Sequence, residues 1–198
     1  AVRLTLACFI GLLGGMTAVL LAPVCRNVPG FPVAGAAERR RECHERTGHF
    51  PAHLFAASRL LWMADSAPEL LGRAHAVLGL SDWLAYRLSG KMVAEPSVAS
   101  ESGLFEVGAR RWADDLIGSL GLPRHLFPEV VSSGTALGPL GKDAAAHLGL
   151  QPGIPVVAGG GDTQCGLLGA GAVDSGQIAI IAGSTMPVQR VLERGFID

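Results

Sequence analysis

GIPVVAGGGDTQCGLLGAGAVDSGQIAIIAGSTMP, residues 153–187, is the stretch on which the fold turns. Residues 154–158 are a short apolar, β-branched run that reads as a buried strand, and it empties into Gly159, Gly160 and Gly161, followed by Asp162. Glycine loses more conformational freedom on folding than any other residue, so three in a row belong where the chain needs unusual dihedrals or a ligand approaches the main chain closely. Behind Asp162, residues 163–169 (TQCGLLG) can start a helix whose first amides point back toward the glycines, a natural place for anionic oxygens. After a turn at 174–176, a second apolar strand at 177–182 ends in Gly183, Ser184 and Thr185. Two strands therefore deliver two small-residue loops, one carrying a carboxylate and one carrying hydroxyls and free amides. The plainer reading of the same residues is a tight turn with Asp162 as a helix N-cap. The contiguous glycines do not fit a dinucleotide fingerprint, and the sequence has no GxxxxGK[ST] phosphate loop.

Composition bounds the rest. With 198 residues, 49% hydrophobic content and a formal charge of -1, the chain can bury one sizeable core or two small ones. A near-neutral balance with 6% aromatics argues against a nucleic-acid partner, which would meet clustered Lys and Arg and stacking rings. Cys8, Cys25, Cys43 and Cys165 have no CxxC or framework spacing and read as free thiols in a reducing, cytoplasmic compartment. Cys43, His44 and His49 match the spacing of no common zinc site, so no metal ligands are assigned. Residues 1–23 approach the ~20 apolar residues a spanning helix needs. Gly11, Gly14 and Gly15 break that stretch into 4–10 and 16–21, each better sized for a buried strand, so no membrane partner is expected.

Along the chain, residues 38–46 turn abruptly charged and predict a solvated helix ended by Thr47 and Gly48. Residues 51–71 carry Leu54, Ala57, Leu61 and Ala64 at helical spacing, an amphipathic helix with Trp62 in the core. Residues 81–90 (SDWLAYRLSG) predict a helix capped by Ser81 and stopped at Gly90. A polar loop is expected over 93–105 (VAEPSVASESGLF) and a short helix over 112–120. No internal repeat or low-complexity tract interrupts this order.

GGGDTQCGLLGAG, followed by a spacer, a strand and a glycine-hydroxyl turn, resembles the junction between the two domains of FGGY-family carbohydrate kinases. Residues 14–21 (GGMTAVLL) resemble the family's "GxTGGMTAVLLD" run. Residues 51–71 are similar to its signature helix, with Arg59 in place of the usual Lys, three residues before Trp62. VAEPSVASESGLF resembles "D-x-S-x-A-S-x-(S/T)-G-L-F-D", GLPRHLFPEV the "GLPxxLLPxV" turn, and residues 133–138 the "SGxxxG" hairpin. Residues 22–41 depart from the pattern: the family's W-x-D-x-R sugar-holding element is absent, leaving an irregular loop, a divergent site or a corrupted translation as readings.

The resemblance implies an α/β chain of the actin-like ATPase (ribonuclease H-like) fold. Residues 1–172 would be a sugar-binding domain lacking its first phosphate-binding strand, and 173–198 the start of a nucleotide domain. It implies ATP-dependent phosphorylation of a sugar or polyol hydroxyl, with ATP and Mg²⁺ as cofactors and a homodimer held open for the full-length enzyme. Asp162 would be the general base. Gly15, Met16, Glu95, Ser97, Ser100 and Gln164 would meet the substrate, with Ser102 beside them, and Gly160, Gly161, Gly183, Ser184 and Thr185 the nucleotide phosphates. The family's D-x-G-T strand would precede Ala1 and its adenosine-binding half would follow Asp198, so the resemblance implies a partial chain. A catalytically silent actin-like module that binds a sugar or a partner protein is the alternative, and a membrane-anchored α/β domain resting on residues 1–23 is a third reading.

Overall fold

The computed structural model describes residues 6–7, 37–52, 54–183, 186–195 and 197. Gly15, Met16, Ser184 and Thr185, and all but two residues of the apolar stretch 1–23, lie outside these. Strand β1 (Leu6–Ala7) runs parallel to β2 (Val77–Leu78). No described helix is long and apolar enough to cross a membrane.

Helix α1 (Ala37–Thr47) forms where the charged run predicts it, and Gly48 ends it with φ of 73°, a left-handed conformation that favours glycine. It is not solvated all round, because Cys43 and Thr47 are buried. Arg46 on its last turn reaches two other segments at once. Its guanidinium bonds both Asp115 oxygens at 2.8 and 2.6 Å and also the Glu106 carboxylate, which Arg111 holds from the other side at 2.7 Å. The planar fork of arginine makes that three-segment clasp, and a lysine's point charge could not.

Helix α2 is shorter than the periodicity suggests. It spans Ala56–Ser66, and Pro68, which has no N–H to donate, opens a separate helix α3 (Pro68–Gly72). Leu54 lies outside it and is exposed, while the buried stripe runs through Ala56, Ala57 and Leu60, with Trp62 half-buried. Helix α4 (Leu80–Ser89) stops at Gly90 as expected, with φ of 77°, but its N-cap is Gly79 rather than Ser81. The stretch 93–105 is not a loop throughout. Glu95 caps a short helix α5 (Pro96–Ser100), whose Pro sits at a position that tolerates it.

Strands β3 (Phe105–Glu106) and β4 (Arg111–Trp112) pair antiparallel, so Trp112 belongs to a strand and helix α6 (Asp114–Ser119) starts two residues later than the pattern suggests. Phe105, Trp112 and Phe127 stack edge-on or tilted within 5.8 Å, and the Trp112 indole N–H donates to the Pro128 carbonyl at 2.7 Å. Around them Ala57, Leu60, Leu104, Ile117 and Leu126 close the main core.

Strands β5 (Ala136–Pro139) and β6 (Pro155–Val157) pair antiparallel across helix α7 (Lys142–Leu148). Strand β6 is half-buried rather than fully buried: Val156 and Ala158 face α4, α7 and β5, whereas Ile154 and Val157 are exposed. Beyond the glycines, helix α8 (Asp162–Gly169) leads to an antiparallel hairpin of β7 (Ile178–Ile180) and β8 (Val188–Arg190).

Candidate active site

The end of β6 is held from the side by backbone bonds. Ala158 accepts from the Gly134 amide at 2.8 Å and donates to the Thr135 carbonyl at 2.9 Å, which fixes the turn 132–135 against the point where the glycines begin. Gly161 is the N-cap of α8, and Asp162 is the helix's first residue. The Asp162 carboxylate is exposed and accepts from the Thr163 amide at 2.8 Å. It therefore stands at the positive end of the helix dipole with a face open to solvent.

Two of the glycines lie close under side chains. A Cβ on Gly161 would lie 2.5 Å from the Gln164 amide oxygen and 3.4 Å from the Ser97 hydroxyl. One on Gly160 would lie 3.3 Å from the Cys165 sulfur and 3.5 Å from the same hydroxyl. Gln164 is exposed, folds back over this floor and accepts from the Thr163 hydroxyl at 2.9 Å.

The second wall comes from α5. The Glu95 side chain is almost wholly buried and caps its own helix, accepting from the Ser97 amide at 2.9 Å and the Val98 amide at 3.2 Å. It also accepts from the Ser97 hydroxyl and, on its other oxygen, from Ser133 at 2.6 Å. The Ser97 oxygen in turn accepts from the Gly161 amide at 2.7 Å. Ser100 bonds back to the Ser97 carbonyl at 2.7 Å, and buried Ser102 accepts from the Leu104 amide at 3.0 Å.

Two acids that the sequence reading passed over belong to this region. Glu101 is the half-buried C-cap residue of α5. Burial pushes its carboxyl up, and the nearby Asp162 charge adds to that. Asp82 on α4 is buried beneath Glu95, whose amide donates to it at 3.2 Å. Burial raises its carboxyl to about 7, the amide hydrogen bond opposing the shift and the Glu95 charge adding to it. It borders an internal cavity of about 20 Å³ walled by Leu60, Val98, Trp112 and Phe127, room for about one water.

The hairpin closes the third side of α8. Gly166 lets the Ile181 side chain approach to 2.9 Å of where a Cβ would be, and the Gln189 amide donates to the Thr163 hydroxyl at 3.2 Å. Gly183 is described and exposed at the end of this strand. Asp162, Gln164, Gly160, Gly161, Glu95 and Ser97 thus share one locality, and Ser100 turns inward beside them. Among the described residues no three His, Cys, Asp or Glu side chains converge as a metal site.

The model of the N-terminal domain of the FGGY family of carbohydrate kinases matches residues 36–169. The chain belongs to this family. Among its relatives, the autoinducer-2 kinase of Enterobacter sp. (strain 638) is 41% identical over 131 residues, 66% of this chain and 25% of that protein. The autoinducer-2 kinase of Klebsiella pneumoniae subsp. pneumoniae is 40% identical over 143 residues, 72% of this chain and 27% of that one. The ligand-bound xylulose kinase of Lactobacillus acidophilus superposes with a TM-score of 0.77 at 19% identity, covering 88% of this chain and 35% of its own. The fold is thus that of the actin-like FGGY sugar kinases, and the chain spans about a quarter of the length of the curated relatives it matches. In this FGGY domain the glycine floor and Asp162 fall inside the matched range, and the β7–β8 hairpin falls after it.

Proposed function

We propose that the protein carrying this domain transfers the γ-phosphoryl group of MgATP to a hydroxyl of a sugar or polyol, and that Asp162 is the base that accepts the hydroxyl proton. The observation that carries the reading is an exposed carboxylate at the first position of α8, on a floor of glycines, within an FGGY domain. Phosphoryl transfer asks little covalent chemistry of a protein: the acceptor must be aligned, its proton taken, and the charge on the transferred group met by donors and the nucleotide's metal. Glycines 159–161 let an acceptor reach Asp162 without steric hindrance. Gln164, with an amide over the same floor, can hydrogen-bond a neighbouring sugar oxygen. Gly15 and Met16 are assigned to the sugar side and Gly160, Gly161, Gly183, Ser184 and Thr185 to the nucleotide phosphates. Residues 1–172 are then sugar domain and 173–198 the start of the nucleotide domain, with the cytoplasm, where ATP and reduced thiols coexist, as the location.

The test is a panel of pentuloses, hexonates, polyols and autoinducer-2-type dihydroxy ketones offered with MgATP to the full-length protein. One acceptor yielding ADP and a phosphomonoester in equal amounts is the expected result. No acceptor-dependent ADP release, with calorimetric sugar binding retained, would replace the kinase reading with a silent sugar-binding module.

A further inference from the structure

We propose that Glu95 and Ser97 are positioning residues: the buried Glu95 carboxylate, acting through the Ser97 hydroxyl, fixes the Gly161 peptide and with it the direction in which Asp162 leaves the glycine floor. This role rests on the reading of Asp162 as the base.

The polarity of the relay is forced. An ionised carboxylate only accepts, and that of Glu95 takes four donors, from the Ser97 amide, the Val98 amide, the Ser97 hydroxyl and the Ser133 hydroxyl. Three of these fall on Oε2 and one on Oε1, so the carboxylate is held through both oxygens. Ser97 has a single hydroxyl proton, and it goes to Glu95. Its oxygen is therefore an acceptor toward everything else, and the Gly161 N–H occupies it at 2.7 Å. The negative charge at one end strengthens each bond along the line.

The relay joins segments far apart in the chain. Glu95 gathers Ser133 from the turn that is bonded to the end of β6, and Ser97 gathers Gly161 from the loop that follows β6. The loop is thus pinned on both sides of its glycines. Gly161 also carries the carbonyl that accepts the first α8 bond, from Cys165 at 2.9 Å, so this one residue is held through its N–H by Ser97 and through its C=O by the helix that Asp162 opens.

The test reads the Gly161 amide directly. Hydrogen exchange on the full-length protein is expected to show this amide protected in the wild type, at least about 10-fold less protected in Ser97→Ala, and protected again in Ser97→Thr, with Leu104 and Ile117 unchanged. A freely exchanging Gly161 amide in the wild type overturns the proposal without any variant. In the full-length protein Ser97→Ala is expected to lower kcat about 10-fold to 100-fold with little change in sugar affinity, the signature of a displaced base. A raised KM for sugar at unchanged kcat would instead make Ser97 a direct substrate contact. If Asp162→Asn retained full turnover while Ser97→Ala still released the Gly161 amide, the base assignment would fail and the relay would stand as a structural clasp.

Discussion

Asp82 is the residue whose chemistry departs furthest from its type. Its carboxyl rises from an ordinary 3.8 to about 7 because it is buried against apolar walls with one amide donor. Between those two values the folded chain holds a proton that the unfolded chain has released, so stability falls as pH rises from about 4 to about 7 and levels off above. At about 1.4 kcal/mol per pH unit the effect is on the order of 4 kcal/mol as an upper bound. Asp82→Asn keeps an acceptor for the Glu95 amide and cannot ionise. Urea unfolding across this pH range is expected to show a flatter profile and a higher midpoint at pH 8 for the variant; parallel profiles would mean that the carboxyl titrates normally. None of this was legible in the sequence, where Asp82 is simply the second residue of the helix read over 81–90. Glu95, Ser97 and Gly161 were each singled out but the bonds that join them were not, because Ser133 and Gly161 lie at separations that no local pattern encodes.

At the scale of elements, stops were easier to read than starts. Gly48 and Gly90 end their helices in left-handed conformations that side chains disfavour, so the residue type itself marks the boundary. Starts depend on packing. Helix α4 begins after Gly79, where Val98 of α5 comes so close that a Cβ would overlap its side chain, and that contact is what selects the glycine. Gly79→Ala is expected to destabilise the chain by about 1–3 kcal/mol, because β-branched Val98 has little rotamer freedom to retreat. An unchanged denaturation midpoint would show that α4 and α5 can separate without cost. The hairpin teaches the same point about faces. Ala179 pairs with Gln189, and Gln189 reaches Thr163 on α8, whereas Ile178, Ile180 and Val188 share the other face and are exposed. The apolar run at 177–182 announced a strand correctly, but period-two burial on one side only is a property of what the strand touches.

For the molecule as a whole, the family was legible through resemblance: contiguous glycines with an acid directly after them, VAEPSVASESGLF and GLPRHLFPEV all fall within the matched residues 36–169. On our proposal the Asp162 carboxylate takes a proton from the acceptor alcohol, with β6 delivering the glycine floor, α5 and the turn 132–135 bracing it, and the β7–β8 hairpin lying against α8. The measurement that tests it most directly is acceptor-dependent ADP release by the full-length protein with Asp162→Asn, alongside calorimetric sugar binding. The expected result is a fall in kcat of about 10²-fold to 10⁴-fold with sugar binding and fold retained. Turnover equal to the wild type in that variant would contradict the claim.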